Sequence, residues 1–414
     1  MPETVETIIV GAGHAGLSVS CQLSLAGREH MVLERGAIAE TWRSQRWDSF
    51  TVNSPNRMNQ LPGDQTPLSD PDGFWHLNEL LQSFESHARS MKLPVRTGVN
   101  VTGIDSGPGG NGFEIRSDCG SYKAANVVVA SGTMQTPRTP AVSKELPLWL
   151  DQMHTADYRN PDQLKSGGVL IIGSAQSGVQ IAEELIEAGR PVYLCTSKVG
   201  RSPRNYRGKD ILYWGIESGF LNQTVADLED PNLQFTTQTQ VSGTKGGHTV
   251  TLQQLARDGV VLLGGLKGAS GDQIQFRADL KDNCDLGDLA SERAKKRIDD
   301  YIAQNDIDAP PAEADPVEAP NPDLISADPQ ESLDLKQAGI NAVIWCTGFT
   351  ADFSWIQDLE LTSQGTPVHT NGVSSIPGLY FNGFPWLRTR ASGLIYGAVR
   401  DSDHIASLII GDSQ

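Results

Sequence analysis

Only five cysteines occur in the 414 residues: Cys21, Cys119, Cys195, Cys284 and Cys346. No two are spaced C-x-x-C, which disfavours a disulfide framework, a zinc site and a redox-dithiol centre. A reducing cytoplasm is the expected compartment, and no metal site is expected. Long apolar runs are also missing. None reaches the ~18 residues needed to span a bilayer. The opening MPETVETIIV has no basic segment followed by an apolar one, so no membrane span and no secretory leader are expected. Positive charge is scarce: 33 Lys and Arg against 50 Asp and Glu, a net charge of −17. Nucleic acid and anionic membranes are therefore poor partners. An anionic cofactor is still admissible, because backbone N–H groups hold phosphates locally whatever the net charge.

Glycine, by contrast, is plentiful, at 42 residues, and the length exceeds one ordinary core, so two domains are expected. The chain is organised around Thr7 to Arg35, TIIVGAGHAGLSVSCQLSLAGREHMVLER. The β-branched run Ile8-Ile9-Val10 predicts a buried strand. Gly11, Gly13 and Gly16 come next as G-x-G-x-x-G. The first permits a tight turn, the second lets backbone approach a pyrophosphate, and the third lets a helix pack close to the sheet. A helix is predicted from His14 to Ala26, stopped at Gly27, and a second strand from His30 to Leu33. Glu34 comes 23 residues after Gly11, near the ~20 expected of the acid that binds a ribose.

The pattern returns at Val169 to Ser197, VLIIGSAQSGVQIAEELIEAGRPVYLCTS. Gly173 matches Gly11, Ala175 matches Gly13, and Gly178 matches Gly16. Both helices end in Ala-Gly-Arg. This is an internal repeat of a mononucleotide-binding unit. Its acid is missing: Thr196 stands where Glu34 would fall, with Ser197, Lys198, Arg201 and Arg204 after it. An acid repels a 2′-phosphate, whereas hydroxyls and guanidinium groups bind it. The first unit thus suits an ADP moiety without 2′-phosphate and the second suits NADP(H). A solvated basic turn is the alternative for the cluster.

Between the units, GAIAETWRSQRWDSF (36–50) is rich in Trp and Arg. It reads either as an aromatic wedge on the first helix or as ligand contact, and its position beside a dinucleotide turn favours contact. A helix is predicted over Leu77 to Met91 and a strand over Val95 to Ile104. Gly107 to Gly112 is a turn within a hairpin excursion, Val99 to Ala124. NVVVASG (126–132) and AVIWCTG (342–348) are matching buried strands that end in a hydroxyl residue and glycine, each read as a crossing between domains. Ala278 to Leu289 reads as irregular, Leu289 to Gln304 as a charged surface helix, and the Pro-rich acidic stretch 310–323 as an exposed loop. The last segment is expected to return to the first domain's sheet.

These residues resemble the class B flavoprotein monooxygenases, which include flavin-containing monooxygenases and indole-3-pyruvate monooxygenases. The resemblance covers nearly the whole chain. It rests on GAGHAG (11–16), ETWR (40–43), VNSPNRM (52–58), GSAQSG (173–178) and CTGFTAD (346–352). The family fingerprint F-x-G-x-x-x-H-x-x-x-[YF] is half kept: His154 and Tyr158 fit, while Leu148 and Leu150 replace Phe and Gly. A linker contact is the alternative role for His154 and Tyr158, and Tyr rather than Trp at 158 leans toward N- or S-oxygenation.

The resemblance implies an α/β fold of two Rossmann-like dinucleotide-binding domains, the NADP domain inserted in the FAD domain. Residues 1–150 and 348–414 would bind FAD. Residues 151–347 would bind NAD(P)H and carry an acidic Pro-rich loop at 308–325. NADPH would reduce FAD, and O₂ would react at the flavin to give a C4a-(hydro)peroxyflavin that oxygenates a small soft nucleophile or a carbonyl. Asn53 is the candidate catalytic residue, with a capping or turn role as its alternative. Candidate FAD contacts are Gly11, Gly13, His14, Ala15, Gly16, Glu34, Arg35, Trp42, Arg43, Met58, Val101, Ser131, Gly132 and Gly383. Candidate NADPH contacts are Gly173, Ala175, Gln176, Ser177, Gly178, Thr196, Ser197 and Arg201. Expected partners are a small-molecule substrate and O₂, with a homodimer as candidate assembly. An NADPH-dependent flavin oxidase or reductase and a cofactor-bound sensor remain open alternatives.

Overall fold

The computed structural model describes residues 2–107, 112–326 and 328–411. Strand β1 (Glu3–Val10) ends in Ile8, Ile9 and Val10, all buried. Burial on both faces is why this run is continuous rather than alternating. The chain turns into α1 (His14–Leu25) and returns as β2 (His30–Glu34), parallel to β1 with Thr7 opposite His30. After α2 (Leu77–Ser90), β3 (Val95–Thr97) extends the sheet beyond β2. The single strand expected from Val95 to Ile104 is interrupted, because Gly98 takes φ +71°. Its second half is β4 (Val101–Ser106), which opens an antiparallel meander with β5 (Phe113–Ser117) and β6 (Gly120–Val129). Residues 108–111 of the predicted Gly107–Gly112 turn lie outside the described residues. β6 then runs parallel to β1 on the side away from β2. Strand order is β3-β2-β1-β6-β5-β4.

The chain leaves this sheet through β7 (Thr136–Pro137) and builds a second, all-parallel one. In chain order this part contains β8 (Asp151–His154), β9 (Gly168–Ile172), α3 (Gln176–Glu187), β10 (Val192–Cys195), α4 (Ile211–Glu217), β11 (Val261–Leu263), α5 (Leu280–Gln304) and β12 (Ile340–Trp345). Strand order is β11-β10-β9-β12-β8. The return strand β13 (Phe349–Thr350) pairs antiparallel with β7. The two crossings are thus hydrogen-bonded to each other, and Arg138 adds bonds from its N–H to Gly348 O and from Nε to Thr347 O. β14 (Leu379–Phe381) then rejoins the first sheet beside β6, as expected. Asn382 Nδ2 donates to Ala15 O and Ala398 O, tying α1 to the final helix α6 (Ile395–Gly411).

Two expectations are corrected here. α5 is one continuous helix of 25 residues, although its first half read as irregular. Its buried residues are Asn283, Cys284, Gly287, Ser291, Ala294 and Ile298, a face too small and polar for hydrophobic periodicity to detect. The acidic stretch 310–323 is docked rather than free. Thr251 Oγ1 donates to Val317 O at 2.7 Å, and Glu318 accepts from Ser291 Oγ at 2.7 Å, from Lys295 and from Arg201.

Burial alone pushes the Glu318 carboxyl up, but hydrogen bonds from Lys295, Ser291 and Arg201 outweigh it and hold it below its ordinary value. A carboxyl depressed in the folded state stabilises above its unfolded pKa. That contribution fades as pH falls through the folded value. Glu318→Ala should cost roughly 3 kcal/mol at neutral pH, the low end for unpairing a buried ion pair, since Asp288 still holds Arg201. Urea titrations should show the deficit shrinking below about pH 4. An equal deficit at both pH values would exclude the ion-pair explanation.

Candidate functional site

The two glycine turns are built alike. Gly11 has φ +106° and Gly173 has φ +105°, a region closed to most side chains. A Cβ on Gly16 would stand 1.9 Å from Gly11 O, and one on Gly178 would stand 1.9 Å from Gly173 O. Each helix therefore begins in direct backbone contact with its turn. A Cβ on Gly11 would meet Ala130 O at 2.7 Å, and one on Gly173 would meet Cys346 O at 2.5 Å. Ala130 and Cys346 end the two matching strands of the sequence. Both turns thus sit where strand order reverses, the usual ligand crevice of such sheets. A Cβ on Gly13 would meet nothing within 4 Å, which leaves the space a pyrophosphate needs.

A continuous cavity of about 1810 Å³ opens from these turns. Of the predicted FAD contacts, Gly11, Gly13, His14, Ala15, Glu34, Arg35, Trp42, Val101, Ser131, Gly132 and Gly383 line it. Glu34 is buried; its Oε2 accepts from Ala12 N–H at 2.7 Å and its Oε1 from Gly36 N–H at 2.9 Å. A carboxylate has about four acceptor positions, so two remain for ribose hydroxyls. His14 lines the cavity edge-on to Trp42, at 6.3 Å between ring centroids. Both its ring nitrogens are buried without a partner among the described residues, and burial lowers its pKa to about 4. A neutral imidazole with a free donor and a free acceptor fits a site whose remaining partner is a bound nucleotide.

Three predicted FAD contacts are placed elsewhere. Gly16 acts through close packing. Arg43 points outward, 2.6 Å from Glu85. The short helix Glu40–Ser44 ends before Arg46, and Arg46 is the arginine that enters the cavity. Its guanidinium lies 5.1 Å from the Trp42 ring and 5.4 Å from Phe50, and burial lowers its pKa to about 10. Met58 is buried against Leu221 and Ala391, behind the cavity lining that Leu221 helps form and not part of it.

On the second turn, Gln176 and Ser177 line the cavity, while Gly173, Ala175 and Gly178 form the turn behind them. Ser197 N–H donates to Ser174 Oγ at 2.9 Å, tying the end of β10 to that turn. The expected phosphate cluster is corrected. The Thr196 hydroxyl is buried, donating to Leu263 O and accepting from Asn283 Nδ2. Arg201 is 4% exposed and committed to Asp288 and Glu318. Arg204 is 1% exposed and bound to Asp210. Carboxylates claim both guanidinium groups: Arg204 is held by Asp210 six residues on, and Arg201 by partners 87 and 117 positions away that nothing nearby announces. Lys198 is exposed and has no acidic partner among the described residues.

Asn53 lines the cavity where the two domains meet. Its Oδ1 accepts from Gln180 Nε2 at 2.8 Å and from Gly243 N–H at 3.2 Å, and its carbonyl accepts from Arg204 Nη1 at 2.8 Å. Two donors on Oδ1 fix the orientation of the amide. Its Nδ2 has no protein acceptor among the described residues. Gln180 is a site residue that sequence reasoning missed, since its partner lies 127 positions away. His154 Nε2 donates to Gly348 O at 3.0 Å and so braces the return crossing, whereas Tyr158 donates to Glu184 on α3 at 2.6 Å, a contact within the second domain. Leu148 is fully exposed.

Residues 8–264 match the family described as pyridine nucleotide-disulphide oxidoreductase. The chain belongs to that family. It is 29% identical to the oxidoreductase CzcO-like of Geobacillus kaustophilus over 99% of both chains. The flavin-containing monooxygenase from Stenotrophomonas maltophilia shares the fold at TM-score 0.65 and 18% identity, over the full length of both chains. Bacillithiol disulfide reductase from Staphylococcus aureus shares it at TM-score 0.62 and 13% identity, again over both full chains. The family is one of flavin- and pyridine-nucleotide-dependent oxidoreductases, and this chain has the two-domain architecture of its monooxygenases. Among the described residues no helix is long and apolar enough to cross a membrane.

Glu34→Ala should weaken FAD retention by roughly 1–3 kcal/mol, about 5- to 150-fold in Kd, by removing the acceptor for the ribose. Fluorescence titration of the apoprotein with FAD measures this. Unchanged affinity would place the ribose elsewhere.

Proposed function

We propose that this protein is an FAD-dependent, NADPH-consuming monooxygenase acting on a small soft nucleophile, at nitrogen or sulfur, or on a carbonyl. The observation that carries the reading is Asn53. Its amide oxygen is locked by Gln180 and Gly243, so the free N–H groups are presented at the cavity wall where both nucleotide sites converge. A preorganised donor of this kind costs no reorganisation at the moment of reaction. A flavin held at the first glycine turn would supply the redox chemistry, taking electrons from NADPH and passing them to O₂. The chain supplies position and dryness. Trp42 and Phe50 wall the cavity, their rings 5.9 Å apart, and the Arg46 cation covers them.

The cysteines argue against thiol chemistry. Burial pushes Cys21 up to about 11 and Cys195, Cys284 and Cys346 each up to about 12. Cys119, exposed, is raised by its hydrogen bond with Asp118. All five are free, and none is poised as a thiolate. The S. maltophilia flavin-containing monooxygenase, rather than the bacillithiol disulfide reductase, is thus the better guide to chemistry.

Asn53→Ala should leave NADPH-driven flavin reduction nearly unchanged, lower oxygenated product about 10²–10³-fold and raise H₂O₂ in its place. Stopped-flow reduction, product analysis and peroxide assay separate these steps. A variant that no longer accepts hydride would move Asn53 to the reductive half-reaction. Wild type that makes only H₂O₂ with amines, sulfides and ketones would be an oxidase.

For the second cofactor, we infer that Lys198, exposed two positions after Thr196 and without an acidic partner among the described residues, takes the place of Arg201 at a 2′-phosphate. Lys198→Ala should raise the KM for NADPH about 10-fold, the lower end for an exposed charge-assisted contact, with little change for NADH. Arg201→Ala should instead lower stability and affect both coenzymes alike. Equal KM changes for the two coenzymes in Lys198→Ala would remove it from the site.

A further inference from the structure

The geometry points to a carboxylate-binding end of the cavity, formed by Arg297 and Arg390, that selects an organic acid as substrate. This inference rests on the oxygenase reading for what happens to that acid, but its binding test does not.

Arg297 projects from α5 in the second domain. Arg390 belongs to the segment between β14 and α6 in the first. Both line the cavity that reaches Asn53. Their guanidinium carbons lie 3.7 and 4.2 Å from the centroid of the same ring, Phe220. The two carbons are therefore at most 7.9 Å apart, the sum of those distances. Arg390 also lies 4.6 Å from the Trp386 ring.

Among the described residues neither cation meets a carboxylate. Nε and Nη2 of Arg390 donate to the neutral Oε1 of Gln223, at 3.2 and 3.1 Å. Arg297 has no acceptor among the described residues, and its Nε is buried without a partner. On α5 and α6, Asp299 is paired with Arg207, Asp300 with Lys296 and Asp401 with Arg388. Two like charges held this close in a cavity, where water screens them less, repel each other. Burial, then the charge of Arg390, brings the Arg297 pKa down to about 10, so it remains protonated at neutral pH. A chain with 50 acidic residues and a net charge of −17 had many ways to neutralise this pair. An anionic ligand accounts for its being left open.

The pair is remote from the second nucleotide's ribose position. Asn283 on α5 bonds Thr196 at the end of β10. Arg297 is fourteen residues further along the same helix, about 21 Å at 1.5 Å per residue. The first unit has its own phosphate position at Gly13. Guanidinium forks bind carboxylate and phosphate alike. The aromatic walls, Phe220 and Trp386, favour an anion with an apolar, flat body, hence an aryl or alkyl monocarboxylate.

Isothermal titration of the oxidised, FAD-loaded protein with benzoate, phenylacetate and octanoate tests this, with the corresponding amides and inorganic phosphate as controls. At least one acid should bind one-to-one, its amide about 10-fold or more weaker, and inorganic phosphate should not displace it. Arg297→Gln and Arg390→Gln should each weaken acid binding about 10-fold while keeping wild-type flavin content. Arg297→Lys, which keeps the charge and the fold, should weaken it less. Equal binding of acid and amide, no acid binding at all, displacement by inorganic phosphate, or loss of flavin instead of acid affinity in the Gln variants would each overturn the inference. Acid binding without any oxygenated product would leave this site standing and defeat the oxygenase reading. Oxygenation of neutral compounds without acid binding would do the reverse.

Discussion

The guanidinium of Arg204 is almost wholly withdrawn from water and carries a full charge into the seam between the domains. Asp210 takes it through Nε and Nη2, the carbonyls of Asn53 and Ser242 take Nη1, and the ring of Phe74 lies 4.6 Å beneath it. A buried charge persists only when paired and fully hydrogen-bonded. Satisfying this one draws three segments together: the turn at 204–210, the loop at 52–54 and the loop at 242–243. Backbone meets backbone there, since a Cβ on Gly243 would stand 2.0 Å from Val52 O. Asn53 is held between these segments, and Gly243 together with Gln180 of α3 sets the orientation of its amide. Arg204 is a positioning residue for the site, not the phosphate ligand that its neighbourhood in the sequence suggested.

Around this seam the two domains repeat one construction. In each, a glycine with positive φ turns the first strand beneath the end of a neighbouring strand, and a second glycine lets the helix start against the turn. The two copies diverge at the end of their second strand. Glu34 keeps acceptor capacity at the first site. At the second, Thr196 is turned into the core by Leu263 and Asn283. Pairing between the crossings β7 and β13 fastens the domains where the chain passes between them. His154, bonded to Gly348 O, braces the same connection. Both turns consequently face one cavity, as transfer between two nucleotides requires.

Charge is distributed unevenly over this frame. The chain as a whole is acidic, yet the cavity receives Arg46, Arg297 and Arg390 with no carboxylate on any of them among the described residues. Aromatic rings cover all three, which keeps the cations in place at low cost in rotamer freedom. Opposite-sign partners are concentrated at the structural joints instead, at Arg201, Glu318 and Lys295 beneath α5 and at Arg204 in the seam. The same residue type is thus structural where a carboxylate meets it and available to a ligand where none does.

The local features of this protein could be read from the chain alone. Strand, glycine turn, helix and terminal acid are set by near neighbours, through backbone conformation and close packing, so both nucleotide units, their helix ends at Gly27 and Gly189, and the return of the last segment were legible. Contacts between distant residues were not. Nothing near Arg201 announces Glu318, nothing near Asn53 announces Gln180, and the small polar face of α5 has no hydrophobic period to reveal it. Which of Arg43 and Arg46 enters the cavity depends on where a five-residue helix ends. Which arginines are free depends on which carboxylates folding brings beside the others. Sequence determined the two dinucleotide folds, because those are local backbone requirements. Only tertiary structure decided which charged side chains face the ligand, because a charge is silenced or left available by the partners that folding sets beside it, and those for Arg201 come from far along the chain.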